Sequence, residues 1–448
     1  MKISIPILII LLPLVAVSKD QDPLPPGYPD RSAELDVLPG FKNPPPGYGE
    51  VPFWWWSGDS LNTERLAGQV VELHEKGISG VQVNYSHHDT PGWPTEQDDP
   101  PIFSEKWWEV YTSISSLCKE LGMGIGLSTY TLDWPGGANN LFYQLFYHKE
   151  ELNAIELRIG HRSRIEGGKQ VSIPLTSDPI LYHPRLEHMI RPDRIAVYAY
   201  AVKDGQLQTE GLDLGRFVQS DELNWKAPAG EWEVWEYIAV RKPASLNPLL
   251  EGAGDTVVQG FFQKFQDRSP DQSSEGLNYF FNDELRIGAR RKRAWNADFA
   301  EEFQRRKGYD LMKVLPALWE DIGRLTPKVR MDYADVRMSL MEERYFKPVY
   351  QWHRSRGMIF GCDSGGRGRN PAEFGDYFRA TRWYTAPGHD TPGGKADLIK
   401  GKVSSSIANL YQRPRVWLEG YHSLGWAATP AQLMFATREN YLYGCTLL

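Results

Sequence analysis

The sequence predicts an α/β protein organised as a (β/α)8 TIM-type barrel with an antiparallel β insertion after the third barrel strand, and three observations carry that reading. Short apolar runs rich in aromatic and β-branched residues alternate with helical patterns from about residue 50 onward, the signature of parallel βα units. The alternation recurs about eight times. Several helical stretches also close on glycine, as Lys76-Gly77, Leu121-Gly122, Lys307-Gly308 and Arg356-Gly357, where a residue free to take positive φ ends a helix.

The expected strands are 51–56, 80–85, 124–130, 277–282, 358–363, 382–385, 415–419 and 443–448. Helices are expected between them at 62–76, 104–121, 297–307, 328–356, 395–411 and 430–441. The alternation breaks from about residue 142 to 275, where segments such as 194–200 (RIAVYAY) and 231–237 (EWEVWEY) have period two, with turns at Gly167-Gly168 and Asp204-Gly205. That stretch is the antiparallel insertion, and it divides the barrel into residues 50–141, with strands one to three, and 276–448, with strands four to eight. The last strand runs into Leu448 with no eighth helix behind it, so the expectation is a fragment of a longer protein.

Ahead of the barrel, Met1 and Lys2 give a short positive region, residues 3–17 an apolar stretch, and Ala16-Val17-Ser18 a small-residue cleavage pattern. Interrupted by Pro6 and Pro13, the stretch is too short to span a bilayer comfortably, so residues 1–18 read as a removable signal peptide and the protein as exported, to the periplasm or the exterior. Residues 19–49, with Pro23, Pro25, Pro26, Pro44, Pro45 and Pro46, read as an extended linker.

Composition narrows the function classes. With 448 residues, 41% hydrophobic, 24% charged and a formal net charge of −7, the chain is neither collagen-like, disordered nor a coiled coil, and it offers no basic field for nucleic acid. Cys118, Cys362 and Cys445 lie far apart without a CxxC pair, which argues against a zinc site or disulfide scaffold and for small buried residues.

In a βα barrel the working side chains sit at the C-terminal ends of strands. There, Tyr279-Phe280-Phe281-Asn282 leads into Asp283 and Glu284, and Val416-Trp417-Leu418 leads into Glu419. A carboxyl among aromatic rings has a poorly solvated anion and a raised pKa, as a general acid near neutral pH needs. Two such acids at one mouth suggest glycoside hydrolysis. Sixteen tryptophans suit it, because indole faces stack on the apolar faces of sugars. Side chains alternate along a strand, so of Trp54, Trp55 and Trp56 the middle ring points away from the outer two. Other strand-end groups suited to sugar hydroxyls are Asn84, His87, Asp133, Trp134, Asp363, His389, Asp390 and His422. His87 and His88 are adjacent and make a poor metal pair. The run Gly365-Gly366-Arg367-Gly368 lacks the lysine and the strand-to-helix context of a phosphate loop and reads as a mobile loop.

The run Pro52-Phe53-Trp54-Trp55-Trp56-Ser57-Gly58-Asp59, the segment Leu121-Gly122-Met123 leading to Asp133-Trp134-Pro135-Gly136-Gly137, residues 299–315 (FAEEFQRRKGYDLMKVL) and Trp417-Leu418-Glu419-Gly420 together resemble glycoside hydrolase family 106, the α-L-rhamnosidases. The resemblance spans residues 51–448 and implies a catalytic barrel followed by further β domains, inversion at the anomeric carbon, two catalytic glutamates and a calcium ion near the sugar. It implies Glu284 as general acid and Glu419 as general base; for calcium, whose several oxygen ligands the sequence does not show converging, Asp283 and Asp363 are the candidates. Thr131 and Leu132 stand where many members carry an acidic pair, so that part of the sugar or calcium site departs from the pattern.

The expected function is therefore an exported inverting exo-glycosidase that removes terminal α-L-rhamnosyl residues from polysaccharides or glycoconjugates, with a carbohydrate as its partner and no membrane span. The alternatives are a glycosidase of other specificity or retaining mechanism, and a non-catalytic carbohydrate-binding barrel in which one acid is salt-bridged to a neighbour such as Arg286 or Arg415.

Overall fold

The structure is a computed structural model that describes residues 50–56, 60–85, 100, 103–128, 150–176, 181–183, 188–190, 192–269, 278–282, 293–364 and 377–448. The expected signal peptide, the Pro-rich linker and the 365–368 run lie outside the described residues.

Strands β1 (Phe53–Trp56), β2 (Gly80–Tyr85), β3 (Gly124–Ser128), β4 (Asn278–Asn282) and β5 (Ile359–Cys362) form one parallel sheet in that order. A second parallel pair joins β6 (Gly388–Thr391) to β7 (Trp417–Gly420). Single parallel bridges extend both groups, Gly361 to Ala386 beyond β5 and Trp417 to Leu447 beyond β7. The Val51 amide donates to the Leu448 carbonyl at 2.7 Å, so the segment entering β1 is tied to the end of the chain.

The helices between strands form where expected, and capping explains their starts. In α1 (Thr63–Glu75) the Asn62 side chain accepts from the Arg65 amide, and in α2 (Glu105–Glu120) Ser104 accepts from Trp107. The expected 328–356 helix is two helices, α3 (Leu325–Met341) and α4 (Lys347–Ser355), joined by a π-helical turn at Glu342–Phe346. In α5 (Leu398–Leu410) Asp397 caps the Ile399 and Lys400 amides, and α6 (Pro430–Tyr443) opens with a Thr429–Gln432 capping box and closes at Gly444 in the left-handed conformation.

Alternation along the strands separates two cores. On the outer face Trp54 and Trp56 touch edge to face at 5.3 Å, and Trp56 meets Trp107 of α2 at 6.2 Å. Phe53 turns the other way, onto Phe281 at 5.6 Å. The inner cluster comprises Val51, Tyr279, Phe281, Ile359, Ala386, Trp417 and Leu447. Gly361 is required there, because a Cβ on it would lie 2.3 Å from the Trp417 ring.

Two strand expectations need correction. The sixth strand is at Gly388–Thr391, whereas residues 382–385 form a turn after the short helix Tyr377–Thr381. The cause is Glu342, whose carboxylate binds Arg382 and accepts from Trp383 Nε1 at 3.0 Å, drawing both side chains to the helical layer. At the end of the chain α6 consumes Tyr443, leaving a bridge at Leu447 in place of a strand over 443–448.

Between β3 and β4 the chain forms antiparallel sheets, the first of which is completed by Arg293–Trp295 from after β4. One comprises Leu212–Asp213, Asp193–Lys203, Glu231–Leu246, Asn153–Glu166 and Arg293–Trp295, and another Val218–Gln219, Glu222–Lys226 and Gln170–Pro174. Their facing sides bury Ile173, Val197, Leu223, Trp225 and Val234. Residues 253–268, expected within the β-rich stretch, are helical. Their apolar residues recur at helical spacing, and Phe261, Phe262 and Phe265 pack on Phe280 of β4. The three cysteines are free and buried, and burial pushes each thiol up to about 12.

Candidate active site

Glu419 sits near the C-terminal end of β7, and its direction follows from its neighbours. Leu418 faces the helices, clustered with Ala408 of α5, whereas Trp417 faces the inner cluster and stacks on Phe281 with ring centroids 5.2 Å apart. Alternation therefore turns Glu419 to the inner side, where 15% of its side chain is exposed. His422, four residues after Leu418, brings Nδ1 to 3.9 Å from Glu419 Oε1.

Asp390 of β6 is the register partner of Glu419, so the two acids leave the same face of the parallel pair. Lys400 Nζ of α5 reaches Asp390 Oδ1 at 2.7 Å. Asp363, directly after β5, alternates inward with Gly361 and Ile359 and is fully buried.

On β1 and β2, Trp55 and Asn84 are register partners on the inner face. Asn84 and Gln82 are buried, and among the described residues neither amide oxygen nor amide nitrogen of either has a hydrogen-bond partner. A buried amide without partners costs about 1 to 3 kcal/mol, so a side chain kept in that state at a strand end is suited to ligand hydroxyls. Gln82 was absent from the sequence candidates, although its spacing of two from Asn84 carried the signal.

His389 corrects an expectation. Its Nδ1 lies 3.1 Å from Ser404 Oγ of α5 and the residue is fully buried, because alternation sends it outward when Asp390 faces in. Burial, and secondarily the charge of Lys400, lower its pKa to about 4, so the ring is neutral at ordinary pH. Glu284, Asp283, His87, Asp133 and Trp134 lie outside the described residues.

Glu419 and Asp390 thus face inward at strand ends beside the stacked Phe281 and Trp417 rings, and comparison supplies the family. Residues 192–445, more than half of the chain, match the family model described as α-L-rhamnosidase of glycoside hydrolase family 106. The chain belongs to that family. A solved rhamnosidase from Novosphingobium sp. PP1Y superposes on this family member with a TM-score of 0.64 at 14% identity, covering 92% of this chain and 56% of that one. A curated protein of Formosa agariphila named "Putative beta-glucuronidase" is 20% identical over 92% of this chain and 37% of its own length. The chain thus spans about half of the solved rhamnosidase and little more than a third of the curated relative.

A cleft of about 550 Å3 lined by Glu251, Asp255, Asp298, Glu301, Arg306 and Glu343, among others, lies among outer helices and away from these strand ends. It holds no aromatic ring, and Arg344 and Arg306 pair with Asp298 and Glu343 at 2.7 and 2.6 Å, so it is poorly suited to a sugar. Among the described residues no three His, Cys, Asp or Glu side chains converge as a metal site, and no helix is long and apolar enough to cross a membrane.

Proposed function

We propose that the chain is the catalytic portion of an exported exo-glycosidase that hydrolyses terminal α-L-rhamnosyl residues of polysaccharides or glycoconjugates with inversion. Glu284 protonates the glycosidic oxygen while Glu419 takes a proton from water attacking the opposite face of the sugar. The β5 to β6 and β7 to β1 backbone links support an eight-stranded barrel around this site, with the antiparallel sheets as an insertion after the third strand.

One observation carries the acid–base pairing. Phe281 and Trp417 stack across the inner face, and Glu284 follows Phe281 by three residues while Glu419 follows Trp417 by two. Glu419 continues inward above that stack, and inversion by this pair needs its carboxyl roughly 6.5 to 9.5 Å from that of Glu284, which leaves room for water between them.

Calcium is proposed from the family alone. Asp363 is the candidate ligand among the described residues, where no three His, Cys, Asp or Glu side chains converge although calcium takes six to eight oxygens, and no step of the reaction is assigned to the ion.

The test uses an aryl α-L-rhamnoside. Glu284→Gln and Glu419→Gln should each lower turnover by about 10² to 10⁴-fold, the usual share of a general acid or base. An NMR time course should show the inverted anomer first. Near-normal turnover by Glu419→Gln discards the assignment. Because of the Formosa relative, an aryl β-glucuronide belongs in the same screen; turnover of it alone would replace the sugar while keeping the two acids.

A further inference from the structure

The first turn of α5 presents a cation to the strand that carries Asp390. Lys400 Nζ donates to Asp390 Oδ1 at 2.7 Å and to the Asp390 carbonyl at 2.9 Å. The two side chains are only 16% and 10% exposed, so the pair is weakly screened by solvent. Asp390 in turn is the register partner of Glu419 on a strand about 4.8 Å away.

We propose that Lys400 is a positioning residue for the glycosidase reaction: it clamps the Asp390 carboxylate beside Glu419 and cancels its charge there. This rests on the reading of Glu419 as general base. A base must be ionised to take a proton from water, and an uncompensated carboxylate within about 4 to 6 Å disfavours that state. Lys400 removes the conflict while leaving Asp390 free to keep its place at the mouth.

Other charged groups stand around the pair. His389 is neutral at ordinary pH and turned to Ser404. Asp397, on the other side of Lys400, is engaged by the Ile399 and Lys400 amides. From the loop after β7, His422 approaches Glu419 to 3.9 Å. From β5 comes Asp363, a further acid, and toward β1 Glu50 stands near Tyr421 and Tyr441, whose phenols are raised chiefly by burial and to a smaller extent by its charge.

The experiment is the pH profile of kcat/KM for the full chain on the aryl glycoside it turns over. Lys400→Met should move the acidic limb upward by about one pH unit, the direction that loss of a cation beside the neighbouring carboxylate imposes. Plateau kcat should stay within about threefold, since chemistry at high pH keeps both catalytic acids. Lys400→Arg, which restores charge and donors, should return the limb to its original place. If Lys400→Met does not fold, Lys400→Gln is read instead, since it keeps a donor for the Asp390 carbonyl. An unmoved limb in the folded neutral variant overturns the proposal, and so does a limb that Lys400→Arg shifts as far as the neutral variant. Should the limb stay put while Glu419→Gln is inactive, the base assignment survives and the role of Lys400 alone fails.

Discussion

Phe281 and Trp417 lie stacked, ring centroids 5.2 Å apart and planes 16° from parallel, although 136 residues separate them in the chain. They join β4 to β7 across the inner face. The stack fills the level just below Glu419, so its packing sets the floor of the site there.

That floor depends on a missing side chain. In Gly361→Ala the new methyl would lie 2.3 Å from the Trp417 ring, and relieving the overlap should cost about 1 to 3 kcal/mol. The expected result is a lower Tm together with reduced turnover, because the displaced ring sits directly below Glu419. A variant with unchanged Tm would show that the stack yields easily.

Glu342 organises the turn that displaced the sixth strand. It is 5% exposed and binds Arg379, Arg382 and Trp383 Nε1. Glu342→Gln removes the charge from a buried hub with two cations, and a loss of about 2 to 3 kcal/mol in denaturant unfolding is expected. A loss below about 0.5 kcal/mol would place the hub among weak surface pairs.

Asn84 should act in binding more than in chemistry. Asn84→Ala is expected to raise KM for the aryl glycoside about tenfold with a smaller change in kcat, as loss of hydrogen bonds made equally in ground and transition states does. An equal fall in kcat with KM unchanged would move Asn84 into the reacting centre.

Buried histidine makes stability depend on pH. His353 is fully buried, stacked on Phe360 at 4.1 Å, with Nδ1 donating to the Val349 carbonyl at 2.8 Å, and burial lowers its pKa to about 3. The unfolded imidazole titrates near its ordinary value of about 6.5, so as pH falls the unfolded chain takes up the proton first. This contribution is complete above about pH 6.5 and is lost progressively toward pH 3. His389, lowered to about 4, acts in the same direction. Denaturant midpoints at pH 7 and pH 4.5 should differ less for His353→Gln than for the original chain. Equal differences would mean that other groups carry the acid sensitivity.

Metal dependence is checked with a chelator. If calcium supports the site, chelation should lower turnover by about tenfold or more, and added calcium should restore it. Activity indifferent to chelation removes calcium from the proposal and leaves the acid pair standing.

The regular units were legible in the primary structure because local signals determine them. Asn62 and Ser104 announce helix starts, Gly77, Gly122, Gly308 and Gly357 announce stops at positive φ, and the alternation through Phe53-Trp54-Trp55-Trp56 already separates inward from outward rings. Glu419 could be picked out because an acid after an aromatic strand is a local pattern. The sixth strand could not be read this way: residues 382–385 look extended, but Glu342, forty residues earlier in the chain, holds Arg382 in the helical layer.

By itself, the order of residues determined the βα rhythm, the family motifs and which acids end strands, since propensity, capping and side-chain alternation act within a few neighbours. Only tertiary structure decided that Asp390 stands in register with Glu419, that Lys400 clamps it, and that His389 turns away to Ser404. Those outcomes depend on strand register and on which helix packs against which strand, and contacts between segments far apart in the chain set both.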